Sequence, residues 1–231
     1  MIKRYSIGTT LSALRKRYNA VLPKKHRPIF SAGGKKPLPI ITRKFRQEFK
    51  LFNWGIVPAN SHDAKIADKL LNARVETLKV KQPFCDLLNN QCLVPADGFY
   101  IWKEEDDNNR PYRVVLPQNE TFSMAGLFHE WGEDDEENAV FKTFALLTCE
   151  AKDKIRKYQD RLPLIIPRHL EEDWLDGNKT DEILDEAIHF TQALPFEIFE
   201  VSGLVNDEKN NSAKFIQNES HILPGQTLNL F

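Results

Sequence analysis

Three polar side chains in the segment LNARVETL have the types and the spacing of a small binding site. Asn72, Arg74 and Glu76 stand at alternate positions after a predicted helix. If this stretch is extended, all three point to one face, because side chains alternate along a strand. An amide, a guanidinium and a carboxylate on one face are suited to hold a sugar, a phosphate or a base edge. The spacing fits an alternative equally well, in which Asn72 ends the helix and Arg74 forms a structural ion pair with Glu76.

A second polar group precedes a buried-looking strand in the segment YQDRLPLII. Gln159, Asp160 and Arg161 stand there immediately before the apolar residues 162–166. Polar residues at the entrance of a strand line a site in some proteins and form a turn in others. The segment by itself leaves both interpretations open.

The segment CLVPADGFYIWKEE, residues 92–105, places four large apolar side chains in a row after a turn. These residues, 99–102, form either a buried strand or the wall of a pocket that has lost its polar group. Trp54 and Trp102 have the rings to stack on exposed bases, although aromatic residues in strands usually belong to the core.

The cysteines and histidines predict neither a metal site nor a cofactor. Cys85, Cys92 and Cys149 lie far apart without a C-x-x-C pair, and no histidine has ligand spacing with another His or Cys. Such cysteines fit a reducing compartment, and no apolar run has the length of a signal sequence or a membrane span. We therefore expect no metal, no cofactor, no membrane contact and a cytoplasmic protein.

The charge of the chain is distributed unevenly. Hydrophobic residues make up 41% and charged residues 28%, which is ordinary for a soluble globular protein. The net charge is −1, but residues 1–50 contain fourteen Lys or Arg against one acid, Glu48, and so carry +13, which leaves −14 for residues 51–231. This asymmetry predicts a polyanion partner, most commonly nucleic acid. The alternative is that the basic loops pair with the acidic runs at 104–107 and 133–137.

The elements that must position these residues are mostly strands. Strand-like segments are predicted at 92–102, 112–116, 121–131, 143–149 and 162–166. Thr9 or Thr10 is predicted to cap a short helix, and helical patterns recur later in the chain. Many antiparallel strands with helices at intervals predict an α+β fold with a barrel-like or two-layer sheet. Since no linker or internal repeat interrupts the sequence, we expect one compact domain over residues 1–231.

Taken in order, several segments resemble the SOS-response-associated peptidase (SRAP) family of abasic-site processing proteins. The matching segments are MIKR, NWGIVPAN, LNARVETL, CLVPADGFYIWK, SMAGLFHEW, FALLTCEA, QDRLPLII and VSGLVND, and they extend from Met1 to about Asp207. Several ordered motifs are far more specific than any one of them alone. The resemblance implies a compact α+β domain on antiparallel sheets.

The resemblance also implies a chemistry from which this sequence departs at three positions. Family members begin with Met-Cys, and after removal of Met the cysteine condenses with the aldehyde of an abasic site in single-stranded DNA to a thiazolidine crosslink; here position 2 is Ile2. The family's acid/base Glu corresponds to Ile101 and its His to Gln159. An isoleucine has no thiol, and an amide does not shuttle a proton near neutral pH. We therefore expect a pseudoenzyme with no catalytic residue intact, in which residues 99–102 form a site wall.

The DNA-binding positions of the family are matched more fully. The residues that correspond to those holding the abasic sugar and its flanking phosphates are Arg4, Asn72, Arg74 and Arg161. A further family arginine corresponds to Gln82, with Lys79 and Lys81 beside it. These two lysines and Trp54 are additional candidates for contact with DNA.

Three hypotheses about function follow. We expect a non-catalytic family member that binds single-stranded or junction DNA through its basic N-terminal third. One alternative is an enzyme, because a large residue at position 2 prevents removal of Met1, whose amine (ordinary pKa about 8) can form a Schiff base with the aldehyde and promote strand cleavage. Retention of the family's peptidase activity is a variant of this alternative. The third hypothesis is a protein-interaction module that uses the acidic loops.

Overall fold

The computed structural model describes residues 1–23, 27–33, 36–61, 63–105, 108–131, 141–207 and 209–217. The strands in these ranges are β1 (Tyr5–Ile7), β2 (Ile29–Ala32), β3 (Pro37–Thr42), β4 (Phe45–Trp54), β5 (Asn72–Arg74), β6 (Gln91–Ala96), β7 (Gly98–Glu105), β8 (Asn108–Val115), β9 (Phe122–Trp131), β10 (Phe141–Glu150), β11 (Arg161–Pro163), β12 (Ile165–Ile166) and β13 (Glu197–Glu200). The α-helices are α1 (Leu11–Tyr18), α2 (Asp153–Arg156), α3 (Glu171–Asp176) and α4 (Thr180–Ala193). Short 3₁₀ helices cover Ala64–Lys69, Val75–Thr77, Phe84–Leu87, Pro117–Asn119, Arg168–Leu170, Gly203–Asn206 and Ala213–Ile216.

Five strands close into a barrel. β3 pairs with β4 and β6, β6 pairs with β9, and β9 pairs with β10, all antiparallel. The parallel pairing of β10 with β4 completes the circle. Closure leaves these strands few free edges, which limits unwanted pairing with other chains. Their fully buried side chains, such as Phe49, Met124 and Phe144, join the main core. The predicted α+β fold with a barrel-like sheet is confirmed.

A second sheet holds the start of the chain in its interior. Its strand order is β13-β8-β7-β1-β2, so that β1 lies between β7 and β2. Tyr5 is paired with Phe99 on one side and with Ala32 on the other. One face of this sheet packs on the main core, and the other covers a smaller cluster that contains Tyr100 and Phe215. The residues before Tyr5 therefore emerge at a defined place.

The helix predicted after Thr9 or Thr10 is confirmed. The hydroxyl of Thr10 accepts a hydrogen bond from the backbone N–H of Ala13 at 3.3 Å, as a Thr at this position does for an unpaired first-turn amide. The helix ends at Asn19, whose φ of 48° is left-handed, a conformation that Asn tolerates better than most residues. Leu14 is the fully buried residue on its inner face.

The C-terminal half of β10 organises the polar segments that the sequence singled out. β5 runs parallel to it, with Asn72 opposite Leu146. β11 runs antiparallel to it, with Arg161 opposite Glu150. The predicted extended conformation of LNARVETL is correct only for its first part, since a 3₁₀ turn begins at Val75. Glu76 therefore leaves the strand alternation that was expected to align it with Asn72.

Candidate functional site

The amino terminus lies beside β5. The side-chain amide of Asn72 donates a hydrogen bond to the backbone carbonyl of Ile2 at 2.8 Å, which joins segments 70 residues apart. Met1 itself is 62% exposed. The fold thus holds the backbone of Ile2, the residue after Met1, against the side chain that was predicted to hold a sugar.

The guanidinium of Arg161 is held by hydrogen bonds from both of its terminal nitrogens. Its two terminal nitrogens donate to the two carboxylate oxygens of Glu76 at 2.9 and 2.8 Å, across 85 residues of sequence. One of them also donates to the backbone carbonyl of Thr148. The Gln159 side chain donates to the Arg161 carbonyl at 2.5 Å. The ion pair that the sequence suggested for Glu76 therefore exists, but its partner is Arg161 rather than Arg74.

Two buried polar atoms at this place have no hydrogen-bond partner among the described residues. They are the Oδ1 oxygen of Asn72 and the Nε nitrogen of Arg161. Leaving such an atom unpaired costs about 1–3 kcal/mol, so proteins rarely keep one without a reason. One is an acceptor and the other a donor, which suits a ligand that carries both a hydroxyl group and an acceptor oxygen.

The Met1 amine stands in a positive environment. Burial lowers its pKa below the ordinary value, and the charges of Lys3, Arg161 and Arg74 lower the pKa further, while Asp160 partly opposes them. A lowered pKa increases the uncharged fraction of the amine near neutral pH. The same cations favour an anion, such as a phosphate, at this place.

Of the three positions that the resemblance assigns to catalysis, two contact the polar segments: the Ile2 carbonyl accepts from Asn72, and the Gln159 side chain donates to the Arg161 carbonyl. Ile2 and Ile101 are both fully buried members of the main core cluster. Ile101 is paired across the sheet with Tyr112, whose ring contacts that of Tyr158, the residue before Gln159, at 4.9 Å. Each isoleucine packs inward on apolar neighbours, and the expected site wall at residues 99–102 stays a prediction.

Arg4, which was predicted to contact DNA, forms hydrogen bonds within the protein. Its side chain is buried, and its guanidinium donates to the hydroxyl of Ser31 at 2.8 Å and to the backbone carbonyl of Asn206 at 3.3 Å. Asn206 also accepts a hydrogen bond from the indole of Trp102 at 2.7 Å. A phosphate reaches Arg4 only if the segment around Asn206 is displaced.

Trp54 is corrected as a candidate for base stacking. Only 2% of it is exposed, and its ring packs edge-on against Tyr5 with centroids 5.2 Å apart. Its indole N–H donates to the backbone carbonyl of Leu71 at 2.7 Å. A base cannot stack on a ring whose faces are already covered. Trp54 instead fixes the position of Leu71, the residue just before Asn72, through its hydrogen bond.

The remaining basic candidates lie on the surface. Arg74 and Lys81 are exposed. Lys79 is paired with Asp181 at 2.7 Å, an exposed pair that is easily exchanged for another anion. Gln82, at the place of a family arginine, donates to the Asp86 carboxylate at 3.1 Å. DNA contact by these residues stays a prediction.

The excess positive charge of residues 1–50 is partly neutralised within the protein. Arg17 donates to the Glu171 carboxylate at 3.0 Å, and Arg46 pairs with both Glu172 and Asp176. These acids belong to α3, which was not the partner expected from the sequence. Asp106, Asp107 and residues 132–140 of the acidic loops lie outside the described residues.

Sequence reasoning missed Thr148 and Lys3. Thr148 provides a carbonyl and a hydroxyl near Arg161, and its hydroxyl donates to the Ala73 carbonyl at 3.1 Å. The signal was its place in the segment FALLTCEA, which was used for the resemblance but not for the site. Lys3, just before β1, is exposed, and its charge lowers the pKa of the Met1 amine.

The described part of the chain holds no group of three or more His, Cys, Asp or Glu that could bind a metal ion. Cys85, Cys92 and Cys149 are all free thiols. Within the same residues, no helix combines the length and the apolarity needed to cross a bilayer.

Comparison with known protein sequences gives a consistent family. The model of the SOS response associated peptidase (SRAP) family matches residues 1–208. "Abasic site processing protein YoqW" of Bacillus subtilis (strain 168) is 35% identical over 187 residues, which are 80% of this chain and 82% of that protein. YoaM of the same organism, with the same description, is 32% identical over 188 residues, again 80% and 82% of the two chains. "Abasic site processing protein HMCES" of Pongo abelii is 28% identical, covering 69% of this chain and 53% of its own length.

Solved structures share the fold. A crystal structure of a protein from Bacteroides thetaiotaomicron superposes with a TM-score of 0.75 at 21% identity, covering 94% of this chain and 99% of the other. A protein from Bordetella bronchiseptica gives a TM-score of 0.71 at 20% identity, with 87% and 99% coverage. At this identity the likeness concerns the fold alone.

Proposed function

Because this chain belongs to the SOS response associated peptidase (SRAP) family, we propose that it binds single-stranded or junction DNA at abasic sites without forming a thiazolidine crosslink. The observation that carries the proposal is the pair of unpaired buried atoms, Asn72 Oδ1 and Arg161 Nε, beside a positively charged amino terminus. The relatives named as abasic site processing proteins support an association with DNA damage.

An opened abasic sugar is complementary to these two atoms. It carries a hydroxyl group, which can donate to Asn72 Oδ1, and an aldehyde oxygen, which can accept from Arg161 Nε. A nucleotide that keeps its base offers the same backbone but fills the space with the base. These two atoms, Asn72 Oδ1 and Arg161 Nε, are called the polar pair below. We expect the polar pair to favour the abasic nucleotide over the intact one.

The flanking phosphates fit the exposed cations around the site. Arg74 and Lys81 are exposed on the segment that follows Asn72, and Lys79 is held only by a surface ion pair. Lys and Arg near a strand of nucleic acid release condensed counterions when they neutralise phosphates. These residues supply affinity, whereas the polar pair supplies the preference for the lesion.

The absence of a crosslink rests on Ile2. The family reaction needs a thiol on the residue that becomes amino-terminal, and an isoleucine side chain provides none. Ile2 is moreover fully buried, and its carbonyl is held by Asn72. The chain keeps the shape of the binding site while lacking the atom that closes the ring.

A second candidate function is favoured by the Met1 amine. In this reaction the uncharged amine attacks the aldehyde carbon, water leaves, and a protonated imine forms. Loss of a proton from the neighbouring sugar carbon to solvent then expels the 3′ phosphate and breaks the strand. The lowered pKa of the amine, and the hydrogen bond from Asn72 to the carbonyl of the following residue, Ile2, support this chemistry.

One assay tests both functions. The purified protein, with its amino-terminal residue established by intact mass, is mixed with single-stranded DNA with and without an abasic site. Native gels then measure binding, and denaturing gels measure crosslinks and cleavage. We expect preferential binding to abasic DNA and no band that survives heat and detergent. Cleaved strands, together with an adduct trapped by borohydride on Met1, would establish the second function instead.

A matched pair of variants locates the binding. Asn72→Ala removes the unpaired acceptor and should weaken binding to abasic DNA about five- to tenfold, the effect of one hydrogen bond of ~1–1.5 kcal/mol. Asn210→Ala removes a partly exposed amide that donates to the Leu204 carbonyl, and should leave binding unchanged. Equal affinity of the wild-type protein for intact and abasic DNA would overturn the proposed preference.

A further inference from the structure

Glu76 occupies the part of Arg161 that a phosphate would use. Its carboxylate accepts from both terminal nitrogens of Arg161, at 2.9 and 2.8 Å. A phosphate accepts from the same parallel pair of donors in the same planar geometry. These two terminal nitrogens, called the Arg161 fork below, can therefore hold the Glu76 carboxylate or a phosphate but not both.

The two partners differ in how firmly they are held. The side chain of Arg161 is only 12% exposed, and Thr148 accepts from it as well, so that it stays in place without Glu76. The side chain of Glu76 is 48% exposed and starts from a 3₁₀ turn at the surface. Rotation of the Glu76 side chain into solvent thus frees the fork without moving the strands.

The surroundings favour exchange of one anion for another. Arg74 and Lys3 add positive charge around Arg161 and the Met1 amine, against Glu76 and Asp160. Water and salt compete for the half-exposed carboxylate of Glu76, which weakens its hold on Arg161. A phosphate that also contacts neighbouring cations has an advantage over a single carboxylate.

We propose that Glu76 is an internal competitor of DNA, whose carboxylate fills the Arg161 fork in the unbound protein and leaves it when a phosphate binds. The inference rests on the proposed DNA binding and concerns its regulation at the same site. Glu76 then limits the affinity for DNA. Removing its charge strengthens DNA binding, although the unbound protein loses the Glu76–Arg161 ion pair.

The test compares Glu76→Gln with the wild-type protein on a single-stranded oligonucleotide that carries a tetrahydrofuran abasic analogue, which has no aldehyde and so reports non-covalent binding. We expect affinity to rise about three- to tenfold. We expect the slope of log affinity against log salt to stay nearly the same, because both proteins neutralise the same number of phosphates in the complex. Glu186→Gln, which removes an equivalent exposed carboxylate from its pair with His169, should change neither quantity.

A double-mutant cycle shows whether the gain acts through Arg161. Combined with Arg161→Gln, the Glu76→Gln change should no longer strengthen binding, because the fork is absent. Thermal unfolding of each variant shows that it is folded. Weaker binding by Glu76→Gln, or an equal gain in the Arg161→Gln background, would overturn the inference while leaving DNA binding intact. Absence of binding by both wild type and Glu76→Gln would instead refute the proposed function itself.

Discussion

Two ionisable groups at the site, the Met1 amine and the Glu76 carboxylate, have pKa values moved in the same direction for different reasons. Burial and neighbouring cations lower the pKa of the amine by disfavouring its charged form. Burial alone would raise the pKa of Glu76, but the hydrogen bonds and charge of Arg161 outweigh it and lower the pKa. The first shift makes the amine more nucleophilic near neutral pH, and the second keeps the carboxylate charged.

The Met1 shift predicts an unusual reactivity of the amino terminus. The rate of acylation by a small amine-directed reagent follows the uncharged fraction, so its midpoint should lie below the value of about 8 for an ordinary α-amine. Peptide mass spectrometry after labelling over a pH series measures the midpoint for Met1 and for exposed lysines in the same sample. A midpoint at or above 8 would show that burial and the neighbouring cations do not lower the pKa of the amine.

The Glu76 shift predicts how stability depends on pH. A carboxylate whose pKa is lower in the folded state stabilises the protein above its unfolded pKa of about 4.3, and this stabilisation is lost as the pH falls through the folded pKa. Because Glu76 is half exposed, we expect Glu76→Gln to cost less than about 1 kcal/mol at neutral pH. Urea unfolding at several pH values should show this cost shrinking in acid. A cost that grows in acid would contradict the assigned pair.

At the scale of elements, the strand β1 separates two environments. Tyr5 packs against Trp54 in the main core, whereas Arg4 donates to Ser31 and Asn206 on the other face of the sheet. The 3₁₀ helices Gly203–Asn206 and Ala213–Ile216 cover that other face. The C-terminal segment therefore keeps Arg4 in a structural role, and its packing is open to a direct test.

Phe215→Ala should loosen this segment. Phe215 is fully buried in the cluster around Tyr100, and removing a buried phenyl ring typically costs about 3–5 kcal/mol. The matched control is Phe190→Ala on α4, where the ring is 38% exposed and the loss should stay below about 1 kcal/mol. Urea unfolding measures stability, and limited proteolysis detects local opening. Similar losses in the two variants would mean that the segment does not pack as described.

At the scale of the whole molecule, less of the positive charge of residues 1–50 faces solvent unpaired than the sequence alone suggests. Arg17 and Arg46 are both engaged by the acids of α3. Ion pairs of this kind tie the basic N-terminal third to the acidic remainder of the chain. Arg17 and Arg46 are therefore less available to a polyanion, whereas Arg74 and Lys81 are exposed beside the candidate site.

This distribution predicts a moderate salt dependence of DNA affinity. With three or four phosphates neutralised at the site, log affinity for single-stranded DNA should fall with log salt at a slope of about −2 to −3. Arg74→Ala should reduce that slope by about 0.7. Lys142→Ala, about 20 Å before Thr148 along β10 and paired with Glu130, should not change it. A slope much steeper than −3 would show that the basic residues held by α3 also contact DNA.

Much of the fold could be predicted because its signals are local. Apolar segments between turn signals indicated β6, β9 and β10, three of the five barrel strands, and Thr9 or Thr10 indicated the start of α1. The ordered motifs predicted the family, which the comparison with known proteins confirms. The polar types at Asn72, Arg74 and Arg161 marked the segments of the site, since types and spacing are properties of the chain itself.

Other features depend on which distant segments meet, and only the tertiary structure decided them. The sequence left open whether Glu76 pairs with Arg74, and the fold pairs it with Arg161, 85 residues away. It offered Arg4 and Trp54 as contacts for DNA, and packing against Asn206 and Tyr5 buried them. Residue type records what a side chain can do, whereas its exposure and its partners are set by long-range packing, which no local pattern encodes.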